Sequence, residues 1–421
     1  MCYGISNSKK SFLLNNISNI SKNTSIFHTL VIFFAVFVLL FGFNPHVQHA
    51  AATKESDVNI EEKLNGATED VLANIDFSEI DKIVEELDIG LDGYNTSFGT
   101  FVAEIISGKI QISFDTIIKS IKSSVVPLMG EILRPLILIL MIILICNLMN
   151  SLKSGRIETS VGDVIFFICL SVIVIILAIL IKEVIDVSKD TISKISEQLN
   201  AIYPIIITLI SGLGATQSAS SLSWVSTFFS GTLMNVIEKI LFPIFTFVIV
   251  MTLISKIMKN GKLDNMIGFF VSGFKWILGS LSTIFMAVLS ISGVLVGTKD
   301  GLSVKAAKYA IKNYVPLLGG YISDGFELVK AGSLLVKNAV GIGSLILVFF
   351  IVLKPILYLG VLSLGLKLIS GISSVIDNAN IAGLLINVSN ALKLLIALVI
   401  GSACMYFFLM IILIGCGNLI F

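Results

Sequence analysis

Histidine and the common catalytic motifs are nearly absent from this sequence. Its 421 residues include three histidines, His28, His46 and His49, all near the N-terminus, so most of the chain has no histidine for acid–base chemistry. Neither GxxxxGK[ST] nor HExxH occurs, and the five cysteines form no CxxC pair. These absences argue against nucleotide hydrolysis by a P-loop, a zincin metal site and a disulfide framework. We therefore predict no enzyme activity, no cofactor and no bound metal.

Charge is also scarce. Only 14% of the residues are charged, 55% are hydrophobic, and the mean hydropathy is +0.97. A water-soluble domain of this length does not need so much apolar sequence to form its core. The formal net charge of +1 gives no reason to expect nucleic acid as a partner. The composition predicts an all-α polytopic protein of the cell membrane.

The N-terminal residues have the pattern of an export signal. Lys9, Lys10 and Lys22 precede an apolar run, IFHTLVIFFAVFVLLFGF, which is followed by three alanines at 50–52. This order of basic flank, apolar core and small residues predicts a signal peptide over residues 1–52. A retained anchor helix is the alternative. In both cases the next segment is delivered outside the cytoplasm.

Residues 53–127 form an acidic segment, with 15 Asp and Glu against 6 Lys over 53–125. Ile75, Ile80, Ile83, Val84 and Leu87 recur at helical spacing, which predicts amphipathic helices lying at, or packed on, the outer membrane surface. The acidic side is either a solvated face or a surface for a basic partner.

Residues 128–421 form the predicted membrane domain, with about six spans that are each long enough to cross a bilayer. The spans are predicted at 135–151, 161–181, 240–257, 276–297, 345–367 and 392–416. Three of them begin alike, with EILRPLILIL, KILFPIFTFV and IVLKPILYLG. Because proline costs little in the first turn of a helix, Pro135, Pro243 and Pro355 are interpreted as span-start prolines.

The proline spacing predicts an internal repeat of about 110 residues. Pro204 precedes Pro243 by 39 residues, Pro316 precedes Pro355 by the same 39, and the two pairs are offset by 112. We interpret 161–272 and 273–390 as two repeat units, with a partial copy at 128–160. Chance resemblance between two apolar stretches is the alternative.

Basic links fix the predicted orientation. Lys153 and Arg156, then Lys256 and Lys259, and then Lys367 with Lys393 follow or flank the proline-bearing spans, and the positive-inside bias places these links in the cytoplasm. The segments at 182–238 and 298–344 then face outward. The second carries six lysines against three acids, which disagrees with the bias, but crossing parity and the exported N-terminal segment support the assignment.

Each outward segment is predicted to be a hairpin broken by proline and glycine. Unpaired backbone groups are costly in lipid, so a broken backbone at membrane depth must pack in protein or face water. The hairpins are therefore candidates for lining a cavity or a subunit contact, and Lys305, Lys308 and Lys312 either snorkel to the interface or form a cationic wall. The candidate residues are Pro204, Gly212, Gly214, Lys305, Lys308, Lys312, Pro316, Gly319 and Gly320. No paired intramembrane carboxylates of the kind used by proton-coupled pumps are evident.

The stretch DGLSVKAAKYAIKNYVPLLGGYISDGFELVKAGSLLVKNAVGI, together with SGLGATQSASS and the tail IILIGCGNLIF, resembles the stage III sporulation protein AE family of endospore-forming bacteria. The resemblance implies a subunit of the channel complex that joins the mother cell to the engulfed forespore, in the mother-cell membrane. It also implies partners: the other stage III A proteins, including an ATPase and ring-forming subunits, and the forespore stage II Q protein. It carries over no catalytic residue.

Two other functions fit the sequence. A stand-alone secondary transporter also uses repeats and broken helices, and a scaffold for ring-forming subunits needs no conducting path. Solute flux in proteoliposomes without partners would favour the transporter, and a requirement for the ATPase would favour the complex.

The predicted orientation can be tested with single cysteines in a variant that lacks the native ones. A membrane-impermeant thiol reagent should label cysteines at Ser211 and Ser323 in intact cells, because both positions lie in outward hairpins. A cysteine at Lys259 should react only after the membrane is opened. Labelling at Lys259 but not at Ser323 in intact cells would invert the topology.

Overall fold

The computed structural model describes residues 57–86, 97–108, 114–156, 159–257, 262–314, 319–376 and 379–416, and the part described is helical without any strand. The chain divides into two compact units, Met1–Ile60 and Glu61–Phe421. The predicted signal peptide at 1–52 lies outside the described residues.

The described elements follow one another along the chain as helices, most of them long. In order they are α1 (Asp57–Ala73), α2 (Ser78–Glu86), α3 (Phe98–Ile106), α4 (Phe114–Arg156), α5 (Thr159–Gly212), α6 (Thr216–Thr227), the π-helical segment π1 (Phe228–Leu233), α7 (Met234–Val236), a second π-helical segment π2 (Ile237–Leu241), α8 (Phe242–Ile257), α9 (Lys262–Tyr314), α10 (Gly319–Val375) and α11 (Ala379–Gly415).

Six of the helical stretches in the described residues are long and apolar enough to cross a membrane, which confirms the predicted all-α class and the predicted number of spans. Each predicted span overlaps one of them, in the same order. They are Pro127–Met149, Val164–Gly212, Thr216–Ser255, Leu263–Ser292, Glu327–Val375 and Ala379–Gly415. The predicted domain boundary at 127/128 falls inside α4.

The prediction that prolines begin the helices is wrong. Pro135 lies inside α4 and Pro355 lies inside α10. Pro243 is the second residue of α8, but that helix continues directly from π2. An interior proline removes one backbone hydrogen bond, and membrane helices tolerate it because neighbouring helices and local adjustments satisfy the freed group.

The first hairpin turns at Gly214 and not at Pro204, which lies inside the continuous helix α5. The N–H of Ala215 donates to the Ile210 carbonyl at 3.2 Å, and the N–H of Gly214 donates to the Ser211 carbonyl at 2.9 Å. This pair of bonds is a Schellman cap, and its left-handed position is Gly214, with φ of +87°. Glycine takes this conformation without the steric cost that a Cβ would add.

The second predicted hairpin lies between α9 and α10, and residues 315–318, which include Pro316, lie outside the described residues. Gly319 and Gly320 form the first turn of α10. The two regions share a pattern, since helices of 54 and 53 residues, α5 and α9, are each followed along the chain by a second long helical stretch. The repeat in the sequence itself stays a prediction.

The most extensive helix pairing in the structure joins α10 to α11. Buried serines bridge the two helices: the Ser363 and Ser389 hydroxyls lie 2.9 Å apart, and the Ser370 hydroxyl donates to the Ala382 carbonyl at 2.8 Å. Small residues also allow close approach. A Cβ built on Gly341 would lie 2.3 Å from Cγ1 of Ile414, so the helices meet there without room for a side chain.

Lys337 of α10 lies beside the C-terminal end of α11. Its side chain is fully buried, and its ammonium group donates to the carbonyl oxygens of Ile414, at 2.8 Å, and Cys416. The last carbonyls of a helix have no partner within the helix, and a cation there also complements the helix dipole. The lysine of α10 therefore caps the C-terminus of α11.

The short helices α2 and α3 pack on the long helices α5 and α10. The predicted location of the acidic segment at the outer membrane surface stays a prediction. The Phe98 ring of α3 is buried against Gly343 of α10 and lies 5.6 Å from the Phe77 ring. Asp81 accepts a hydrogen bond from the Phe98 N–H. At the start of α2 the Asp76 carboxylate accepts bonds from the hydroxyl and the N–H of Ser78, which lower the pKa of Asp76.

Glycine at 341 should be required for the pairing of α10 with α11. Gly341→Ala should destabilise the protein by about 1–3 kcal/mol, because the new methyl group overlaps the stiff, branched Ile414 side chain. Gly360→Ala, on the same helix but with open space around the new atom, is the matched control. Thermal unfolding in detergent measures both. Equal unfolding temperatures for the two variants would show that the helices do not meet closely at Gly341.

Candidate functional site

A cavity of about 350 Å³ lies between α5 and the π-helical stretch that precedes α8. Its volume is in the range of small-molecule sites. Helix α5 contributes Lys189, Asp190, Ile192, Ser193 and Ser196. The facing stretch contributes Ser230, Met234, Asn235 and Glu238, and Phe242 is the first residue of α8.

The cavity follows from the local helix geometry. On α5 the lining positions 189, 192, 193 and 196 have the spacing of one helical face. The facing residues belong to a stretch in which two π-helical segments, π1 and π2, interrupt an otherwise α-helical rod. π-helical turns are rare and occur frequently at functional sites. Their presence in a membrane-length helix marks this stretch as the candidate functional site.

The cavity has an apolar floor and a polar rim. Ile192, Met234 and Phe242 are buried, whereas Lys189, Asp190 and Glu238 are exposed. The Lys189 ammonium lies 5.6 Å from the centre of the Phe242 ring, within the range of a cation–π contact. The site thus offers charges of both signs above an aromatic surface.

Ion pairs connect the rim to the acidic segment. Lys194, one turn beyond Asp190, lies 3.3 Å from the Asp190 carboxylate and 3.4 Å from that of Glu86 at the end of α2. Both carboxylates are largely exposed, so each pair contributes little to stability. The Lys194–Glu86 pair shows that the end of α2 lies beside Asp190 on the rim of the cavity.

This arrangement can bind a small polar solute or a side chain of another protein. Serine hydroxyls and the Asn235 amide surround the charged groups, but Ser193 donates to Glu197 at 2.7 Å and Asn235 donates to the Gly231 carbonyl. Among the described residues no cluster of His, Cys, Asp and Glu could hold a metal ion.

The predicted hairpin residues do not line this cavity where the structure describes them. Pro204 lies in the interior of α5, and Gly212 and Gly214 lie at its C-terminal end and turn. Lys305, Lys308 and Lys312 are on α9, but their side chains are outside the described residues. Their predicted role in a cavity wall or at the interface stays a prediction.

Two carboxylates outside the cavity lie on membrane-length helices. Glu131 belongs to the stretch Pro127–Met149 and Glu183 to Val164–Gly212, and both are exposed. Charged residues inside or beside apolar runs are the sequence signal for such positions.

Three lysines also lie on membrane-length helices: Lys275 on α9, Lys367 on α10 and Lys393 on α11. The Lys393 ammonium donates to Oδ1 of Asn390 at 2.6 Å. Lys367 and Lys393 are among the residues that predict the cytoplasmic side, and this orientation stays a prediction.

Together, the six membrane-length helices and the polar cavity beside π-helical turns define an all-α, multi-pass membrane protein. The profile of the stage III sporulation protein AE family matches residues 96–417. Because this match covers most of the chain, the protein belongs to that family, and the resemblance seen in the sequence is confirmed.

A curated relative agrees with the family match. The chain is similar to stage III sporulation protein AE of Bacillus subtilis (strain 168), with 23% identity over 290 residues, which are 69% of this chain and 72% of that protein. No solved structure matches. The chain is therefore a sporulation protein of the membrane.

Proposed function

We propose that this chain is an integral membrane subunit of the channel complex that links the mother cell to the forespore and is required for forespore development. It acts in the mother-cell membrane around the forespore, without enzyme activity or a cofactor of its own. The observation that carries the proposal is that the family match over 96–417 includes all six membrane-length helices. The polytopic part of this protein is thus the part that the family shares.

The partners proposed are the other stage III A proteins, including the ATPase and the ring-forming subunits, and the stage II Q protein of the forespore. The cavity supports this assignment physically. It combines Lys189, Asp190 and Glu238 with an exposed entrance, and the ion pairs of Lys194 hold the short acidic helix beside it. A polar, open groove suits a solute in transit or a docked segment of another subunit.

A stand-alone secondary transporter is the second candidate, and one observation favours it. Glu131 and Glu183 lie within the membrane-length stretches Pro127–Met149 and Val164–Gly212, and carboxylates at such positions serve proton relays in pumps and transporters.

We expect the charged residues of the cavity to be needed for the activity of the assembled complex and not for its assembly. The variant Asp190→Asn/Glu238→Gln should lower the yield of heat-resistant spores at least about tenfold, the effect of about 1.4 kcal/mol of lost interaction. Copurification from sporulating cells should still recover the ATPase, the ring-forming subunits and the stage II Q protein. The matched control is Asp186→Asn/Glu79→Gln, which removes two exposed carboxylates that do not line the cavity.

Two results would contradict the proposal. The first is copurification that recovers none of the stage III A proteins from the unmodified strain. The second is solute flux by the purified chain in proteoliposomes without any partner, lost on Glu183→Gln, which would establish the transporter instead.

A further inference from the structure

Two opposite charges border the cavity between α5 and π2 without neutralising each other. Lys189 lies on α5 and Glu238 on π2, and both line the same cavity of about 350 Å³. Among the described residues neither of them takes part in an ion pair, whereas Asp190, the third charged residue of the lining, is paired with Lys194 at 3.3 Å. Lys189 and Glu238 are therefore the charges that a ligand can still neutralise.

The Lys189 ammonium lies over an aromatic part of the lining. It is 5.6 Å from the centre of the Phe242 ring, where the ring attracts its positive charge. An ammonium group has three N–H donors, so Lys189 can also donate to a carboxylate bound in the cavity. Such charge-assisted hydrogen bonds are stronger than those between neutral groups.

The facing wall offers acceptors for a cationic group. The Glu238 carboxylate is exposed there, and Asn235 lines the same wall. The Asn235 amide donates through Nδ2 to the Gly231 carbonyl, and its Oδ1 can accept a hydrogen bond from a ligand. A carboxylate and an amide oxygen together suit an ammonium group.

The floor between the two walls is apolar. Ile192, Met234 and Phe242 are buried and line the cavity, and a hydrocarbon group placed on them would be removed from water. The lining thus combines a cation, an anion and an apolar surface. The volume of the cavity is near the lower end of the range for small-molecule sites.

We propose that the cavity binds a free α-amino acid with an apolar side chain. Its carboxylate accepts hydrogen bonds from Lys189, its ammonium group donates to Glu238 and Asn235, and its side chain lies on the apolar floor. Such a zwitterion neutralises both unpaired charges at once, which neither an amine nor a carboxylate can do. The inference rests on the proposed function, since it names the class of solute for the same cavity.

Binding of tritiated L-leucine to the purified full-length protein in detergent tests the proposal, with unlabelled compounds as competitors. Isopentylamine keeps the side chain and the amino group without the carboxylate, 4-methylpentanoate keeps the carboxylate without the amino group, and glycine lacks the side chain. Each should compete at least about fivefold more weakly than unlabelled leucine, because each loses one contact, and fivefold is the scale of one exposed ion pair or of a partly buried side chain.

Two variants assign the two charged ends of the ligand. Lys189→Gln should weaken leucine binding about fivefold without weakening that of isopentylamine, which has no carboxylate to lose. Glu238→Gln should weaken leucine binding by a similar factor without weakening that of 4-methylpentanoate. The matched control, Lys239→Gln/Asp186→Asn, removes exposed charges of both signs on π2 and α5 that do not line the cavity, and it should bind leucine as the unmodified chain does.

Several results would overturn the proposal. Absence of saturable leucine binding to the unmodified chain would exclude the amino acid, and equal competition by leucine and isopentylamine would exclude the Lys189 contact. Full leucine binding by the Glu238→Gln variant would exclude the contact on the facing wall. The competitors need no variant, so they decide the proposal even if a variant fails to fold.

The proposed function is tested separately by copurification. A chain that copurifies with the stage III A proteins but does not bind leucine would refute this inference alone. A chain that binds leucine but copurifies with none of them would refute the proposed complex alone.

Discussion

The close pairing of α10 with α11 is the interaction on which the rest of the structure depends. Apolar side chains gain little by leaving lipid for protein, so membrane helices associate through close packing and hydrogen bonds between helices. This pair uses both. Gly341 admits the Ile414 side chain, and the Ser363 and Ser389 hydroxyls bond across the interface with each other and with the facing carbonyls.

The other helices are positioned by this pair. Leu136 of α4 packs against Gly365, Phe98 of α3 packs against Gly343, and the fully buried Gln198 of α5 donates to the Ser344 carbonyl at 2.8 Å. Gln198 follows the cavity residue Ser196 by two positions on α5. Its hydrogen bond to α10 therefore fixes the rotation of α5 about its axis, and with it the face that lines the cavity. The core therefore sets one wall of the candidate site, and the π-helical stretch sets the other.

The sequence predicts the helical class and the six spans because both follow from hydropathy and length. It cannot place the prolines correctly, because the cost of Pro135 or Pro355 within a helix depends on neighbours that only packing reveals. Gly214, where the chain turns, is one of the predicted hairpin residues, although the sequence predicts that the break begins at Pro204. The cavity joins residues of α5 to residues that lie more than 30 positions further along the chain, so no local sequence pattern predicts it.

Disulfide formation between α10 and α11 in native membranes tests the central pairing most directly. In a variant without the native cysteines, Ser363→Cys and Ser389→Cys should cross-link on mild oxidation, because the two serine hydroxyls are 2.9 Å apart. Protection of both thiols from a mass-tagged maleimide measures the bond. The control pair, Ser374→Cys with Ser389→Cys, should stay reduced, because Ser374 is exposed and further along α10. Failure of the first pair to cross-link, or equal cross-linking of both, would contradict the pairing.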